Sequence, residues 1–381
     1  MQQVFLKSDS IVSPLGFGTM VNLRELRLQN SALKLQKPTS KYSAGYYAAI
    51  FEEEIIDRSF SLIGNCDDYT KLEKMLILAI KDVIDKEALV DPLSTGLVIA
   101  TTKGNIDLLN SNKITKERVE LWKMAQVVAN FFGFKNKPIV VSNACISGGL
   151  AIKTAADFIK SGKFENAIVA AGDLVSDFVL SGFQSFQAMS EKACKPFDAE
   201  RNGISLGEAA AAVFIDGQTS QEQKVEFVHS VTTNDANHIS GPSRDGEGLY
   251  QAISRLKHFT GITSEEIDAI SAHGTATIFN DEMEAIAFNR SNLNDIPMHS
   301  LKGYFGHTLG ASALIESIML KQSLLKNELI ISKNFESSGV SASLNITTEA
   351  TQKELKMALK TASGFGGCNI AMLFRKMKAH V

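Results

Sequence analysis

Pro138-Ile139-Val140-Val141-Ser142-Asn143-Ala144-Cys145-Ile146-Ser147-Gly148-Gly149 joins a short apolar run, rich in β-branched residues, to a cluster of small residues. The run reads as a buried strand. The spacing beyond it predicts an amphipathic helix from about Gly149 to Lys160. Cys145 therefore falls at a strand-to-helix elbow, near a helix N-terminus, where free N–H groups and partial positive charge favour a thiolate over a thiol. A single cysteine is more often an inert core residue, and that reading is kept for Cys66, Cys194 and Cys368. At Cys145 it gives way, because two histidine motifs downstream can complete a reaction centre.

Outward from the elbow, apolar strands alternate with helical patterns. Strands are expected at Leu97–Thr101, Ile139–Asn143, Ala167–Gly172 and Ala210–Asp216, with helices at Tyr69–Ala88, Thr115–Phe132 and Gly149–Ser161. The polar stretch Asp216 to Lys224 reads as a hinge, dividing the chain into residues 1–216 and 217–381. The second part repeats the theme, with strands near Lys224–Val231, Ala269–Ala272, Met298–Ser300 and Ala371–Phe374 and helices near Glu247–Phe259, Asn280–Phe288 and Gly310–Leu325. Two similar α/β halves suggest mostly parallel sheets covered by helices.

Composition narrows the class. The 381 residues are 44% hydrophobic, enough for a large core, and the net charge of −3 argues against broad nucleic-acid binding. Four cysteines without paired spacing favour neither a disulfide framework nor a zinc site. The first twenty residues lack the basic and apolar regions of a secretory signal. The run from Ala209 to Ile215 is too short to span a bilayer. A cytoplasmic protein in a reducing compartment is expected, without a membrane span or a metal.

Three glycine-flanked motifs carry chemistry. Ser271-Ala272-His273-Gly274-Thr275-Ala276-Thr277 follows an apolar strand, so His273 can project into a cleft. Ser300-Leu301-Lys302-Gly303-Tyr304-Phe305-Gly306-His307-Thr308-Leu309-Gly310-Ala311 places His307 at a loop opening onto a helix, with Lys302 five residues earlier. Ser363-Gly364-Phe365-Gly366-Gly367-Cys368-Asn369 is a turn that can bring a backbone N–H close to a reacting atom. Alone, each is weak: a solitary histidine is commonly structural, and a GFGG turn commonly just a turn. Together with an elbow cysteine they describe one site.

NACISGG, AHGTAT followed by NDEMEAI, SLKGYFGHTLGAS and SGFGGCN, in that order, resemble the elongating β-ketoacyl-acyl-carrier-protein synthases of the thiolase superfamily. KPFDAERNGISLGEAAAAVFI (Lys195–Ile215), DANHISGPSRDGEG (Asp235–Gly248) and the opening IVSPLGFG agree with it. The resemblance spans about Ser10 to Phe374 and is weakest between about Ala32 and Asn136. It implies a thiolase-like, five-layered αβαβα fold, with the nucleophile in the half 1–216 and both catalytic histidines in the half 217–381. It implies a decarboxylating Claisen condensation of an acyl-enzyme thioester with malonyl-carrier protein, in fatty-acid, polyene or polyketide elongation. Cys145 would carry the acyl group, and His273 and His307 would meet the enolate oxygen. The Cys145 and Phe365 amides would form the oxyanion hole, with Phe365 also a gate. Lys302 and Glu284 would form an ion pair beneath the histidines, whereas Asp281 either joins them or merely caps the helix near Asn280. Thr275 and Thr277 would bind the pantetheine amides. No cofactor is implied beyond the phosphopantetheine of the acyl carrier protein that delivers the substrates.

Some positions depart from the family pattern: Ile146 beside the nucleophile, Ser363 two residues before Phe365, Ala209, and the acidic Phe51-Glu52-Glu53-Glu54. They suggest a specialised branch such as polyene, pigment or polyketide synthesis. A non-catalytic chain-length-factor-like partner subunit is the main alternative, and a coenzyme A-dependent thiolase using Cys368 a lesser one. Retention of Cys145, His273 and His307 speaks against the first. The resemblance also implies a dimer, with itself or with a related subunit, built on Ile139–Asn143. An acidic carrier protein would dock on a basic patch, with Lys160, Lys163, Lys192 and Arg201 as candidates.

Overall fold

A computed structural model describes residues 2–38, 45–109, 116–218, 224–236 and 241–377. Thr115, residues 219–223 of the expected hinge and residues 237–240 of the Asp235–Gly248 segment lie outside them.

Runs of β-branched residues and alanine pair edge to edge in an eleven-stranded sheet. Ten of its strands are β1 (Phe5–Ser13), β2 (Gly96–Ala100), β3 (Ile139–Val141), β4 (Asn166–Asp173), β5 (Ala209–Asp216), β6 (Lys224–Asn234), β7 (Ala269–Ser271), β8 (Met298–His299), β9 (Met357–Gly364) and β10 (Cys368–Met377). They lie in the order β8-β7-β9-β10-β6-β1-β5-β4-β2-β3. The middle is the short β1–β6 contact, where Phe5 faces Glu226 and Leu6 faces Val225.

The expectation of mostly parallel pairing is corrected. β2 runs parallel to β3 and β4, and β7 to β8 and β9. Every pair formed by β1, β5, β6 or β10 with its sheet neighbours is antiparallel. Connection length explains part of this, since a parallel crossover needs a dozen or more residues. Only Phe365–Gly367 separate β9 from β10, so these two strands must form a hairpin.

Eight of the ten α-helices among the described residues are α1 (Lys71–Lys86), α2 (Leu121–Phe132), α3 (Ser147–Lys160), α4 (Asp177–Ser185), α5 (Glu247–Thr260), α6 (Ile278–Arg290), α7 (Lys302–Phe305) and α8 (Ser312–Lys326). α1 packs on β1, β4 and β5, α2 on β3, and α5 on β6 and β10 with α6 against it. α3 and α8 pack on each other, and both touch strands of either half of the sheet. The layers therefore run α-β-α-β-α. Ser312 through Leu324 of α8 are all buried, as a helix enclosed on every side requires. Gly148 fits this middle layer because a Cβ there would lie 2.8 Å from the Leu314 amide nitrogen. The core forms one large cluster around α3 and α8, with separate ones beneath α1 and α2 and beneath α5 and α6.

Helix α2 begins later than the Thr115–Phe132 pattern suggests, because Lys116–Val119 form a 3-10 turn instead. No helix among the described residues is long and apolar enough to cross a membrane.

Candidate active site

β3 ends at Val141, two residues sooner than expected, and the chain turns before α3 begins at Ser147. Ala144 adopts φ +43°, a left-handed conformation unusual for a residue with a Cβ. The Ser147 hydroxyl holds the turn, accepting from the Asn143 amide at 2.8 Å and donating to the Ala144 carbonyl at 2.6 Å. Cys145 is thereby aimed out of the elbow, into a cavity of about 350 Å³.

His273 follows β7 and His307 follows α7. His307 Nε2 lies 3.1 Å from Cys145 Sγ. The two imidazole rings stand nearly perpendicular, their centroids 5.2 Å apart. Behind the His307 ring, the Leu309 amide nitrogen lies 3.1 Å from Nδ1 and the Ser312 hydroxyl oxygen 2.8 Å from it. A backbone N–H can only donate, so Nδ1 accepts and the proton of the neutral ring sits on Nε2. His273 obeys the same logic. Lys302 Nζ, a donor without lone pairs, lies 3.2 Å from His273 Nδ1 and 2.5 Å from the His273 carbonyl oxygen. Both rings therefore turn Nε2–H away from their supports.

Burial, reinforced by Lys302, pushes both histidines well below their ordinary range, so they are neutral near pH 7. The reacting atoms of Cys145, His273 and His307 lie within 4.8 Å of one another, a spacing at which they could hold a metal ion. The tautomers oppose it, since they offer two N–H donors where a metal needs lone pairs.

The expected thiolate is corrected for the resting site. Burial pushes the Cys145 thiol up to about 12, and the same cause takes Cys194 and Cys368 to about 11. All four cysteines are free thiols.

The expected Lys302–Glu284 ion pair is also corrected. Lys302 Nζ pairs with Glu316 Oε1 at 2.8 Å. Glu284 instead accepts from the His273 amide at 2.8 Å, the Gly274 amide at 2.6 Å and the Asn280 side chain at 3.0 Å. It thus fixes the backbone that carries His273. Burial, then the nearby Asp281, raises its carboxyl to about 7. α6 begins at Ile278, before Asp281, whose carboxylate reaches back to the Thr275 amide at 2.9 Å and across to the Phe197 amide at 2.7 Å. Asp281 stitches the histidine loop to a neighbouring segment, which is more than capping a helix.

Thr275 and Thr277 line the cavity, their hydroxyl oxygens 2.8 Å apart. Phe365 lines it too and packs on Phe183 and Phe186 of the α4 region, with ring centroids 5.5 and 4.9 Å away. The glycine turn runs close against the elbow: a Cβ on Gly364 would lie 3.0 Å from the Cys145 nitrogen. Gly367, at φ +80°, could bear no side chain, since its Cβ would stand 1.8 Å from the Asp235 carbonyl oxygen. Ile146 does not border the cavity; it is buried in the central core.

The suggested basic patch does not assemble. Lys160 and Lys163 lie at or beyond the far end of α3, about 20 Å of helix from the elbow. Arg201 is buried, bonding the Asp198 and Gly339 carbonyls. Only Lys192 is exposed near residues that line the cavity.

Three residues escaped the sequence reading. Glu316 and Lys360 stand in otherwise apolar stretches of α8 and β9, and a charge in such a stretch calls for a buried partner; each is the other's. Asp173, at the end of β4, accepts from the Thr101 hydroxyl, from the amide and hydroxyl of Thr102, and from the Lys103 and Gly310 amides, tying the His307 loop to the end of β2. Nothing local in its sequence marks it.

Comparison with known proteins agrees with this geometry. The family "Beta-ketoacyl synthase, N-terminal domain" matches residues 84–220, and "Beta-ketoacyl synthase, C-terminal domain" matches residues 225–336. A putative mitochondrial 3-oxoacyl-[acyl-carrier-protein] synthase of Schizosaccharomyces pombe is 27% identical, over 99% of both chains. The 3-oxoacyl-[acyl-carrier-protein] synthase 2 of Rhizobium meliloti is also 27% identical, over the whole of both. In fold, the chain resembles a Xenorhabdus doucetiae ketosynthase solved with its chain length factor, with a TM-score of 0.85, 20% identity and coverage of 99% and 98%. It is similarly close to a β-ketoacyl synthase from Burkholderia phymatum, with a TM-score of 0.84, 21% identity and coverage of 99% and 100%.

Proposed function

The chain belongs to the β-ketoacyl-acyl-carrier-protein synthases of the thiolase superfamily, and from that premise we propose that it condenses a Cys145-bound acyl group with a malonyl thioester, releasing carbon dioxide. The observation that carries this reading is the pair of neutral imidazoles whose Nε2–H groups face the cavity beside the thiol.

Cys145 sulfur attacks the acyl thioester delivered on a carrier's phosphopantetheine arm. The acyl group moves to Sγ, and the carrier leaves as its thiol with the proton. The amides of Cys145 and Phe365 are the oxyanion donors of this step, a role supported by the contact of Gly364 with the Cys145 backbone. A malonyl thioester then replaces the departed carrier. Its carboxylate leaves as carbon dioxide, and the electron pair passes into an enolate whose oxygen takes hydrogen bonds from His273 and His307. The enolate carbon attacks the acyl carbonyl, the C–S bond breaks, the Cys145 sulfur leaves as a thiolate that takes a proton from water, and a β-ketoacyl thioester departs. Lys302 orients His273, Glu284 fixes its backbone, and Thr275 and Thr277 stand where the amides of the arm pass. The thioesters and protein donors supply this chemistry without a resident cofactor.

The division into 1–216, with the nucleophile, and 217–381, with both histidines, is supported by the β1–β6 junction. A dimer with itself or a related subunit fits the half-buried Ile139 and Val140 at the edge of the sheet. Four free thiols suit a reducing compartment such as the cytoplasm. The test is direct: supply acyl- and malonyl-carrier proteins and measure β-ketoacyl-carrier protein. Its absence under conditions where the acyl-enzyme forms would overturn the reading.

A further inference from the structure

Lys360 has no part in the chemistry assigned above, yet it is fully buried on β9. Its Nζ lies 3.2 Å from the Ser271 carbonyl oxygen, 3.3 Å from that of Ala272 and 2.5 Å from that of Thr361. Ser271 and Ala272 immediately precede His273. The ammonium therefore grips the strand end from which the catalytic imidazole projects.

Its fourth neighbour is Glu316 Oε2, at 2.7 Å. The attraction there is ionic more than directional, because that oxygen makes no well-angled hydrogen bond. Glu316 is thus clasped by two lysines, Lys302 on one oxygen and Lys360 on the other. Burial alone would raise its carboxyl, but the two ammonium groups hold it below the usual range. One carboxylate between two ammoniums leaves a net positive charge behind the histidines. Stability does not account for the second lysine, since apolar side chains commonly replace buried ion pairs without loss.

We propose that Lys360 is a positioning residue for decarboxylation: it anchors the Ser271–Ala272 strand end and, with Lys302, sets a positive field that keeps His273 and His307 neutral N–H donors toward the enolate. The inference rests on the functional reading above. Burial, Lys302 and Lys360 all act on both imidazoles in the same direction. The other groups facing this cluster are Glu316 on α8, Glu284 on α6, which Thr361 reaches at 3.4 Å, and His299 on β8. Burial, then Lys360, pushes His299 down to about 4. With Glu284 titrating near 7, Glu316 is the carboxylate that stays charged across the acid limb.

The test uses the full chain with Lys360→Met and Lys360→Arg, each checked for folding by circular dichroism. Imidazole nitrogen shifts of His273 and His307 are followed by NMR against pH, together with malonyl-carrier decarboxylation and acylation of Cys145. In Lys360→Met both histidines should protonate at higher pH, by about one unit. Decarboxylation should fall about tenfold, with its acid limb moved upward, and acylation should fall less. Lys360→Arg, which keeps the charge, should titrate like the wild type. A folded Lys360→Met with unchanged histidine titration would overturn the proposal, as would equal loss of both half-reactions. Should the Met variant not fold, Lys360→Gln, which can still bond the carbonyls, gives the same readings. A wild-type chain that never decarboxylates would overturn the functional reading instead, while the titration still decides the role of Lys360.

Discussion

His307 Nε2 stands 3.1 Å from Cys145 Sγ, and the Leu309 amide behind the ring keeps the proton of the neutral imidazole on that nitrogen. The imidazole therefore meets the sulfur as a donor. It can support a thiolate as it forms, and it can turn to an enolate oxygen in the next step without changing tautomer.

Resting Cys145 should react slowly with a small alkylating agent. Burial holds the thiol at about 12, so the iodoacetamide rate should climb with pH through 9 without a plateau. A plateau centred below pH 8 would restore the helix-end thiolate.

The histidines should separate the two half-reactions. Loss of one enolate donor costs about 3–4 kcal/mol, or roughly 10²–10³ in rate, so His273→Ala should lose malonyl decarboxylation by that factor while still acylating Cys145. His307→Ala should show the same order of loss, with acylation reduced further than in His273→Ala because only His307 contacts the sulfur. Equal loss of both activities in both variants would contradict this division.

Lys302 and Glu316 should behave as a unit. Removing one member of a buried pair costs about 3–5 kcal/mol, so Glu316→Gln should be destabilised by that order and lose decarboxylation. A double-mutant cycle of Lys302→Met with Glu316→Gln should be strongly non-additive. The cycle of Lys302→Met with Glu284→Gln should be closer to additive. Chemical denaturation of the three single and two double variants checks the pairing.

Much of this was legible in the chain because the informative residues are local. The elbow around Cys145, the two histidine motifs and the GFGG turn each pair a reactive side chain with glycine or small residues. The strands flanking them are short apolar runs that identify themselves. What could not be read was partner choice. Lys302 and Glu316 are fourteen residues apart, with a loop and a 3-10 turn between them. Glu284, the expected partner, is a glutamate like Glu316, yet its carboxylate is taken up by two backbone amides. Outside the β9–β10 hairpin, strand direction was also hidden, since β1 at the start of the chain finds its neighbours β5 and β6 in the middle of it, and periodicity says nothing of the neighbours a strand will find.

Glu284 should leave a signature in stability against pH. Its folded carboxyl titrates near 7, against an ordinary value of 4.5. Its contribution is therefore fully present below about pH 4.5 and is lost as pH rises through 7. Relative to Glu284→Gln, the wild type should lose on the order of 3 kcal/mol across that window. Thermal unfolding of both proteins at several pH values measures it; parallel curves would place the carboxyl in its ordinary range.

The central claim is that one sulfur carries the acyl chain and the two histidines spend it on a malonyl unit. Intact-protein mass spectrometry tests it most directly. The chain is loaded with acyl-carrier protein, separated from free carrier, and then given malonyl-carrier protein. One acyl group, mapped to Cys145, should form and then disappear as β-ketoacyl-carrier protein and carbon dioxide appear in equal amounts. An adduct on Cys66, Cys194 or Cys368, or an acyl group on Cys145 that malonyl-carrier protein does not discharge, would contradict it.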